Sequence, residues 1–537
     1  LNKWLKILLI AMAVLVVFTL IWEYQFVIME KAIKKIGTYN IDYMDLEVTY
    51  DPEEEKAHYQ VTMEIKPASS RPRSFLLYAL SPHLEVKGAQ INGQKVNTRN
   101  IWAVQLLRVP REYREEGFSL ALQYEGGYEP VFDRSPGYLT ASGAYLDILS
   151  LWQPLVLGPY LENFRDVNQV VRLNSPDPFM GVTGGDLIEI KRDSENTQTL
   201  WQSGILSSLV FKPFEPYSYP GSRLMTFFLP REHEELGEDL AHLSEEIFAR
   251  YQEKLGPAGP ENMTLAVVDS SQRGTFYPDG LVLINRNSLE QFARNRDNRN
   301  FYTLLAHEIG HYWFHFETIS LTNMWGGQWY LEGFTEFMAI WSSGQRFGEL
   351  EYDNRIRNAM GRLRSAPTVK PLIGYSYLEY SPVPYYKSVL MLDGIRRSYG
   401  EDILFEFIRE VRNSPEVNLV KSMELSAEKI FHENYSFFFR HWLQGTTPVD
   451  LFIEDIVIDG YPDELMLVVT SNQWLDHMLD IAIEYPWGTQ VINPRIRRGT
   501  NELVLPLEEN YLSIELDPYR RLFRLNDEHQ LRLDRGN

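Results

Sequence analysis

The chain has 537 residues, 44% hydrophobic and 23% charged, which is enough apolar material for several packed cores and rules out a disordered chain. Its 52 Lys+Arg against 73 Asp+Glu leave a net charge of −21, a field that repels phosphate backbones and argues against a nucleic-acid partner. There is no cysteine, so disulfides, thiolate catalysis and cysteine zinc sites are excluded, and any metal must be held by histidines and carboxylates.

From Ile7 to Trp22 every residue but Thr19 is apolar, and Lys3 and Lys6 precede the run. That length suits a bilayer-spanning helix, and no small-x-small cleavage site follows it. Residues 1–30 are therefore expected to be an uncleaved transmembrane signal anchor in contact with the lipid bilayer. The expected topology is single-pass at the cell membrane, with a cytoplasmic N-terminus and the body outside; Lys31, Lys34 and Lys35 on the far side blunt the positive-inside signal.

Residues 38–229 read as a β domain. Leu46, Val48 and Tyr50, then Tyr59, Val61, Met63 and Ile65, then Phe118, Leu120 and Leu122 alternate with the period of half-buried strands. Asn92-Gly93 supplies a hairpin turn between Val86 and Val96. At Pro230 the period changes: Leu236, Leu240, Leu243, Ile247 and Tyr251 recur at helical spacing. Residues 230–447 continue with apolar strands at 263–268 and 281–284 and then long helices. Residues 448–537 return to short strands bounded by Pro, Gly and Asn, and are expected to form a small β-sandwich.

The helical region contains the chemistry. His307-Glu308-Ile309-Gly310-His311 is an HExxH sequence in a helical pattern, so both imidazoles lie on one face, one turn apart, and can meet one ion. Glu308 sits beside that face, placed to take a proton from a metal-activated water without ligating the metal. Catalytic zinc usually has three protein ligands, and Glu332, in the helical stretch Trp329-Tyr330-Leu331-Glu332-Gly333-Phe334-Thr335-Glu336, can be the third. Glu336, one turn on, either accepts a hydrogen bond from a ligand histidine or belongs to a solvated helix face. His315 continues the i, i+4 series, but two turns, about 12 Å of rise, separate it from His307, so it is read as structural. The alternative zinc pattern with a third histidine six residues after the second fails, because Glu317 stands there.

On these residues the chain resembles the M1 metallopeptidases, gluzincins that include membrane alanyl aminopeptidases and leukotriene A4 hydrolase. His307 to Phe314 is similar to the family's HExxH helix, and Trp329 to Phe334 to its WLNEGFA segment, with Leu331 in place of the usual Asn and a slightly longer loop after His311. The resemblance implies one zinc ion, peptide substrates, and a multidomain fold: a saddle-like β-sheet domain, an α+β thermolysin-like catalytic domain and a C-terminal β-sandwich, without the large helical domain of many members. Val383-Pro384-Tyr385-Tyr386-Lys387-Ser388 resembles the stretch whose first Tyr stabilises the oxyanion. That assigns the role to Tyr385, with Tyr386 as a rival and a core aromatic as the alternative.

One departure bears on substrate choice. Gly274-Thr275-Phe276-Tyr277-Pro278-Asp279-Gly280-Leu281 stands where the family has GAMENWGL, the strand whose Glu binds the substrate's α-amino group. By that match Gly274 and Tyr277 are substrate-binding, but a neutral phenol cannot neutralise an ammonium. Asp279 and Asp147 are the carboxylates considered as substitutes. The expected activity is zinc-dependent hydrolysis of peptide bonds, aminopeptidase-like with altered N-terminal recognition. The alternative is an inactive membrane-tethered peptide-binding or assembly protein that retains a zinc site.

Overall fold

Along Tyr39–Asp51 the residues Met44, Leu46, Val48 and Tyr50 are buried, along Lys56–Pro67 Tyr59, Val61, Met63 and Ile65, and along Phe118–Gly126 Phe118, Leu120 and Leu122. In the computed structural model, antiparallel register sets Leu46 opposite Val61 and Val61 opposite Leu122, so the three apolar rows merge into one face. These strands belong to an eight-stranded sheet ordered Asp186–Arg192, Asn196–Ser203, Asn168–Pro176, Tyr39–Asp51, Lys56–Pro67, Phe118–Gly126, Glu85–Ile91 and Gln94–Lys95. Asn92 and Gly93 take φ of 47° and 81°, the paired positive values of a tight hairpin, as their sequence predicts.

The structure describes residues 38–534 apart from 132–136, 158–166, 205–206, 260, 272–273, 316–326, 367–369, 376–380, 415–417, 433–438, 447–450, 458–463, 472–476, 498, 507–509 and 519–531. The expected membrane anchor at 1–30 lies outside these residues. Among the described residues no helix is long and apolar enough to cross a membrane.

Two compact units divide the described chain. The first takes residues up to Asp239 together with 261–293. Besides the large sheet it holds two four-stranded sheets and a five-stranded one ordered Phe214–Pro220, Leu224–Pro230, Asn262–Val268, Leu281–Asn285 and Gly274–Tyr277. In that last sheet Leu224–Pro230, Asn262–Val268 and Leu281–Asn285 run parallel, and Gly274–Tyr277 closes one edge antiparallel to its neighbour.

The second unit takes 240–259 and the chain from Arg294 onward. In chain order the helices are α1 (Gly237–Leu255), α2 (Arg286–Arg294), α3 (Arg299–Gly310), α4 (Gln328–Phe347), α5 (Glu349–Arg364), α6 (Pro382–Tyr399), α7 (Glu401–Asn413) and α8 (Leu419–Phe431); α1 and α2 run across the division. Leu240, Leu243, Ile247 and Tyr251 are all buried, the stripe their spacing predicts for α1. After Leu451 the chain forms a three-stranded sheet (Leu451–Val457, Glu464–Ser471, Gly499–Pro506), a two-stranded ladder and a four-stranded sheet built on Ile481–Tyr485.

Two glycines permit the helix crossings that carry the site. A Cβ on Gly310 would lie 2.9 Å from Thr335 Cγ2, and one on Gly333 would overlap the Ser388 side chain. Hydrogen at these positions lets α3 approach α4, and α4 approach α6, at near-backbone distance.

Candidate active site

Helix α3 begins at Asn298, whose side chain accepts a hydrogen bond from Phe301 N at 2.9 Å, and it is braced by Tyr251, whose hydroxyl donates to Ala306 O at 3.0 Å. It ends at Gly310, with His311 as its C-cap still in helical conformation (φ −64°, ψ −13°). The helical pattern read through Phe314 therefore stops short. The chain turns after His311, and the Phe314 carbonyl comes back to accept from His311 Nδ1 at 3.0 Å. Replacing helical hydrogen bonds with a turn leaves carbonyls free for such side-chain donors. His315 thus lies beyond the helix, and it is not part of the metal-competent cluster.

That cluster is His307, His311 and Glu332, all buried, with one ligand atom from each lying within 4.8 Å of the others. His307 Nε2 is 3.3 Å and His311 Nε2 3.6 Å from Glu332 Oε2. Both Nε2 atoms point inward because both Nδ1 atoms are engaged elsewhere. His307 Nδ1 meets Glu336 Oε2 at 2.8 Å, and His311 Nδ1 meets the Phe314 carbonyl, with Thr335 Oγ1 at 3.4 Å. An Nδ1–H held by a carboxylate or carbonyl leaves a lone pair on Nε2, the tautomer a metal ligand needs. Two imidazole nitrogens and a carboxylate oxygen that converge on one point fit zinc. Glu336 is placed as a partner of a ligand histidine rather than on a solvated face.

Glu308 is 4% exposed. Burial pushes its carboxyl up to about 6 against the pull of the two histidines; a dication held by the neighbouring ligands lowers it again. Burial also raises the Glu332 carboxyl, but when the two facing imidazoles are protonated the charge of His311 and hydrogen bonds from both rings outweigh it and hold that group ionised.

The structure separates the two candidate tyrosines of α6. Tyr385 stacks on the His307 ring, centroids 6.0 Å apart and 18° from parallel. The Tyr386 ring lies beneath the Arg362 guanidinium at 5.8 Å. Ser381 caps α6, its hydroxyl accepting from Val383 N at 3.3 Å, which sets Tyr385 in the first turn.

Tyr277 is in the first unit and buried. Its hydroxyl donates to Asp147 and lies 3.2 Å from the Tyr145 hydroxyl. Asp147 caps the turn Ile148–Ser150 by accepting from Leu149 N at 2.8 Å, and burial pushes its carboxyl up. Of the two carboxylates weighed as substitutes, Asp147 is the one that meets Tyr277. Asp279 instead packs against Gly184 and accepts from Ser203 Oγ at 3.4 Å. Gly274 opens the same edge strand, opposite Ile284.

Two groups beside the candidate ligand His311 carry no role in the sequence reading: the Thr335 hydroxyl and the Phe314 carbonyl. The two glycines inside the histidine and glutamate motifs were the available signal, since a helical glycine marks a close approach.

Residues 245–442 match the Peptidase family M1 domain. No protein of curated function matches the chain. Among solved structures, an M1 zinc metallopeptidase from Deinococcus radiodurans is 18% identical with a TM-score of 0.59, the match covering 76% of this chain and 94% of that one. The same enzyme bound to a Tyr-Ser-Ala substrate gives 18% identity and a TM-score of 0.58, covering 76% and 95%. Legionella pneumophila aminopeptidase A in complex with aspartic acid is 13% identical with a TM-score of 0.67, covering 91% of this chain and 59% of that protein.

Proposed function

Through its catalytic domain the chain belongs to peptidase family M1 and is a zinc metallopeptidase, and from that premise we propose that it is tethered to the cell membrane and cleaves extracytoplasmic peptides with an altered demand on the substrate N-terminus. The observation that carries the peptidase reading is the buried convergence of His307, His311 and Glu332 beside Glu308. Zinc held there supplies a Lewis acid that polarises the scissile carbonyl and acidifies water. Glu308 takes the proton from the attacking water and returns it to the leaving amine. The Tyr385 hydroxyl donates to the oxyanion that develops on the carbonyl oxygen. Glu336 and the Phe314 carbonyl keep the two Nδ1 protons in place throughout.

Altered N-terminal recognition rests on Tyr277 and Gly274, assigned by resemblance to the strand that binds the α-amino group. The Tyr277 proton is committed to Asp147, so the phenol presents a lone pair, not a charge, to an ammonium. An amine anchored this way is held more weakly than by a carboxylate, which relaxes the requirement for a free N-terminus. The apolar run Ile7–Trp22 supports the tether and the single-pass topology, and the strands after Leu451 are assigned to a closing β-sandwich.

The test is mass spectrometry of a mixed peptide library, free and N-acetylated, incubated with the protein with and without chelator, and with Glu308→Gln as the inactive control. Chelator-sensitive cleavage of acetylated peptides is the expected result. Loss of single N-terminal residues from free peptides only would return the enzyme to strict aminopeptidase specificity. Cleavage by Glu308→Gln at the wild-type rate would remove Glu308 from the role of base.

A further inference from the structure

The arginines of the first unit are unevenly paired. Arg172, Arg192, Arg231 and Arg286 each meet a carboxylate, from Asp45, Asp177 (2.9 Å), Glu215 (2.7 Å) and Glu232 (2.6 Å) respectively. Arg71, Arg73, Arg108 and Arg111 are exposed and make no ion pair with any described residue. All four lie at one end of the unit, the end where the chain enters it. Arg73 N donates to Thr38 Oγ1 at 2.9 Å, Ala68 N to Thr38 O at 2.8 Å, and the Tyr39 hydroxyl to Arg73 O at 2.7 Å. Phe75 pairs with Arg108, Val109 N donates to Ser74 O at 3.0 Å, and Arg114 Nε reaches Val109 O at 3.1 Å, so Arg108 to Arg114 share that edge.

Glu112, Glu115 and Glu116 lie on the same edge. Five arginines against these three glutamates still reverse the local sign in a chain whose net charge is −21. Upstream of Thr38 the sequence continues the basic run with Lys31, Lys34 and Lys35. An acidic body tethered to an anionic bilayer is repelled by it, so the tether favours the orientation in which this basic end of the first unit faces the headgroups. Residues 23–37, which join Trp22 to Thr38, span at most about 50 Å when extended, so this end stays within reach of the surface. Arginine suits such a partner because its planar fork pairs with phosphate.

We propose that the end of the first unit bearing Arg71, Arg73, Arg108 and Arg111 is a docking surface for anionic phospholipid headgroups and sets that unit's orientation on the bilayer. The proposal rests on reading Ile7–Trp22 as an anchor. The absence of native cysteine makes a direct test available. Ser70→Cys places one dye at this end, and Ser194→Cys places one in the turn between Asp186–Arg192 and Asn196–Ser203, at the opposite end of the large sheet. The full chain is reconstituted in vesicles of phosphatidylcholine, alone or mixed with phosphatidylglycerol, carrying an acceptor dye on the headgroups. Energy transfer from the Ser70→Cys label is expected to rise about threefold with phosphatidylglycerol and to fall back in high salt or in the Arg71→Glu/Arg108→Glu variant, with the Ser194→Cys label unmoved. Transfer that ignores phosphatidylglycerol, in vesicles that keep the chain through an alkaline wash, overturns the docking surface and leaves the anchor standing. Release of the chain by that wash overturns the anchor and the proposal with it.

Discussion

His307 and Glu336 illustrate how much of a metal site lies outside its ligands. The 2.8 Å contact at Nδ1 orients the ring and raises the basicity of the opposite nitrogen. Replacing Glu336 with Gln keeps an acceptor but removes the charge, and zinc affinity is expected to fall by about 10- to 100-fold in a chelator competition assay. Unchanged affinity would return Glu336 to an ordinary helix surface. For Tyr385 the expectation is kinetic: Tyr385→Phe should lower kcat about 100- to 1,000-fold with zinc content intact, the cost of one oxyanion donor. Tyr386→Phe, whose ring faces Arg362, should leave kcat close to wild type. A larger loss in the second variant than in the first would reverse the assignment. The motif resemblance favours the first of the adjacent tyrosines, and the first turn of α6, capped by Ser381, puts that ring on His307.

At the scale of elements, the site is a product of two helix crossings. Gly333 admits Ser388 where a Cβ cannot fit, and this contact brings α6, with Tyr385, against α4, with Glu332. Gly333→Ala is therefore expected to destabilise the protein by about 1–3 kcal/mol, as overpacking does, and to reduce zinc occupancy. Adding Ser388→Gly should restore part of both, the Pro384 carbonyl 2.8 Å from the added Cβ accounting for the remainder, measured as urea midpoints and bound metal in a double-mutant cycle. Additive losses would mean that the crossing is not the point of strain. Helical patterning in the sequence announces α1, α3 and α4, because an apolar stripe is a local property of sequence. It overran the end of α3, since the turn after His311 depends on Phe314 O finding a donor on His311, a contact that periodicity does not register.

Over the whole molecule, Asp279 and Lys387 are buried groups outside the candidate metal site that tie stability to pH. Burial raises the Asp279 carboxyl to about 7, above its unfolded value near 4, so its contribution is full in acid and is lost as pH rises toward 7. Burial lowers the Lys387 ammonium to about 7, below its unfolded value near 10, so its penalty is full below 7 and is relieved as pH rises toward 10. Each acts within its own unit, and together they predict a shallow stability minimum near neutrality, read as the urea midpoint across pH. Asp279→Asn should flatten the acidic limb and Lys387→Met the alkaline one; a profile unchanged by both variants would show that neither group is titrating. The proposed membrane tether belongs to this scale too; it rests on the apolar run Ile7–Trp22, while the net charge of −21 argues against a nucleic-acid partner.

By itself the sequence nominated the metal ligands and the base, because His307, His311, Glu332 and Glu308 are spaced for those roles on two helices, and the fold brings the first three together. The sequence determined the β alternation of the first unit for the same reason, that period and burial are linked locally. Tertiary structure alone decided that Glu336 meets His307 and that Tyr277 gives its proton to Asp147 rather than to Asp279, and it set the ring of Tyr385, the tyrosine the motif favours, on His307. Each of these joins residues distant in the chain through packing and hydrogen-bond direction, and a small shift in how two elements cross would change the partner without changing any local pattern.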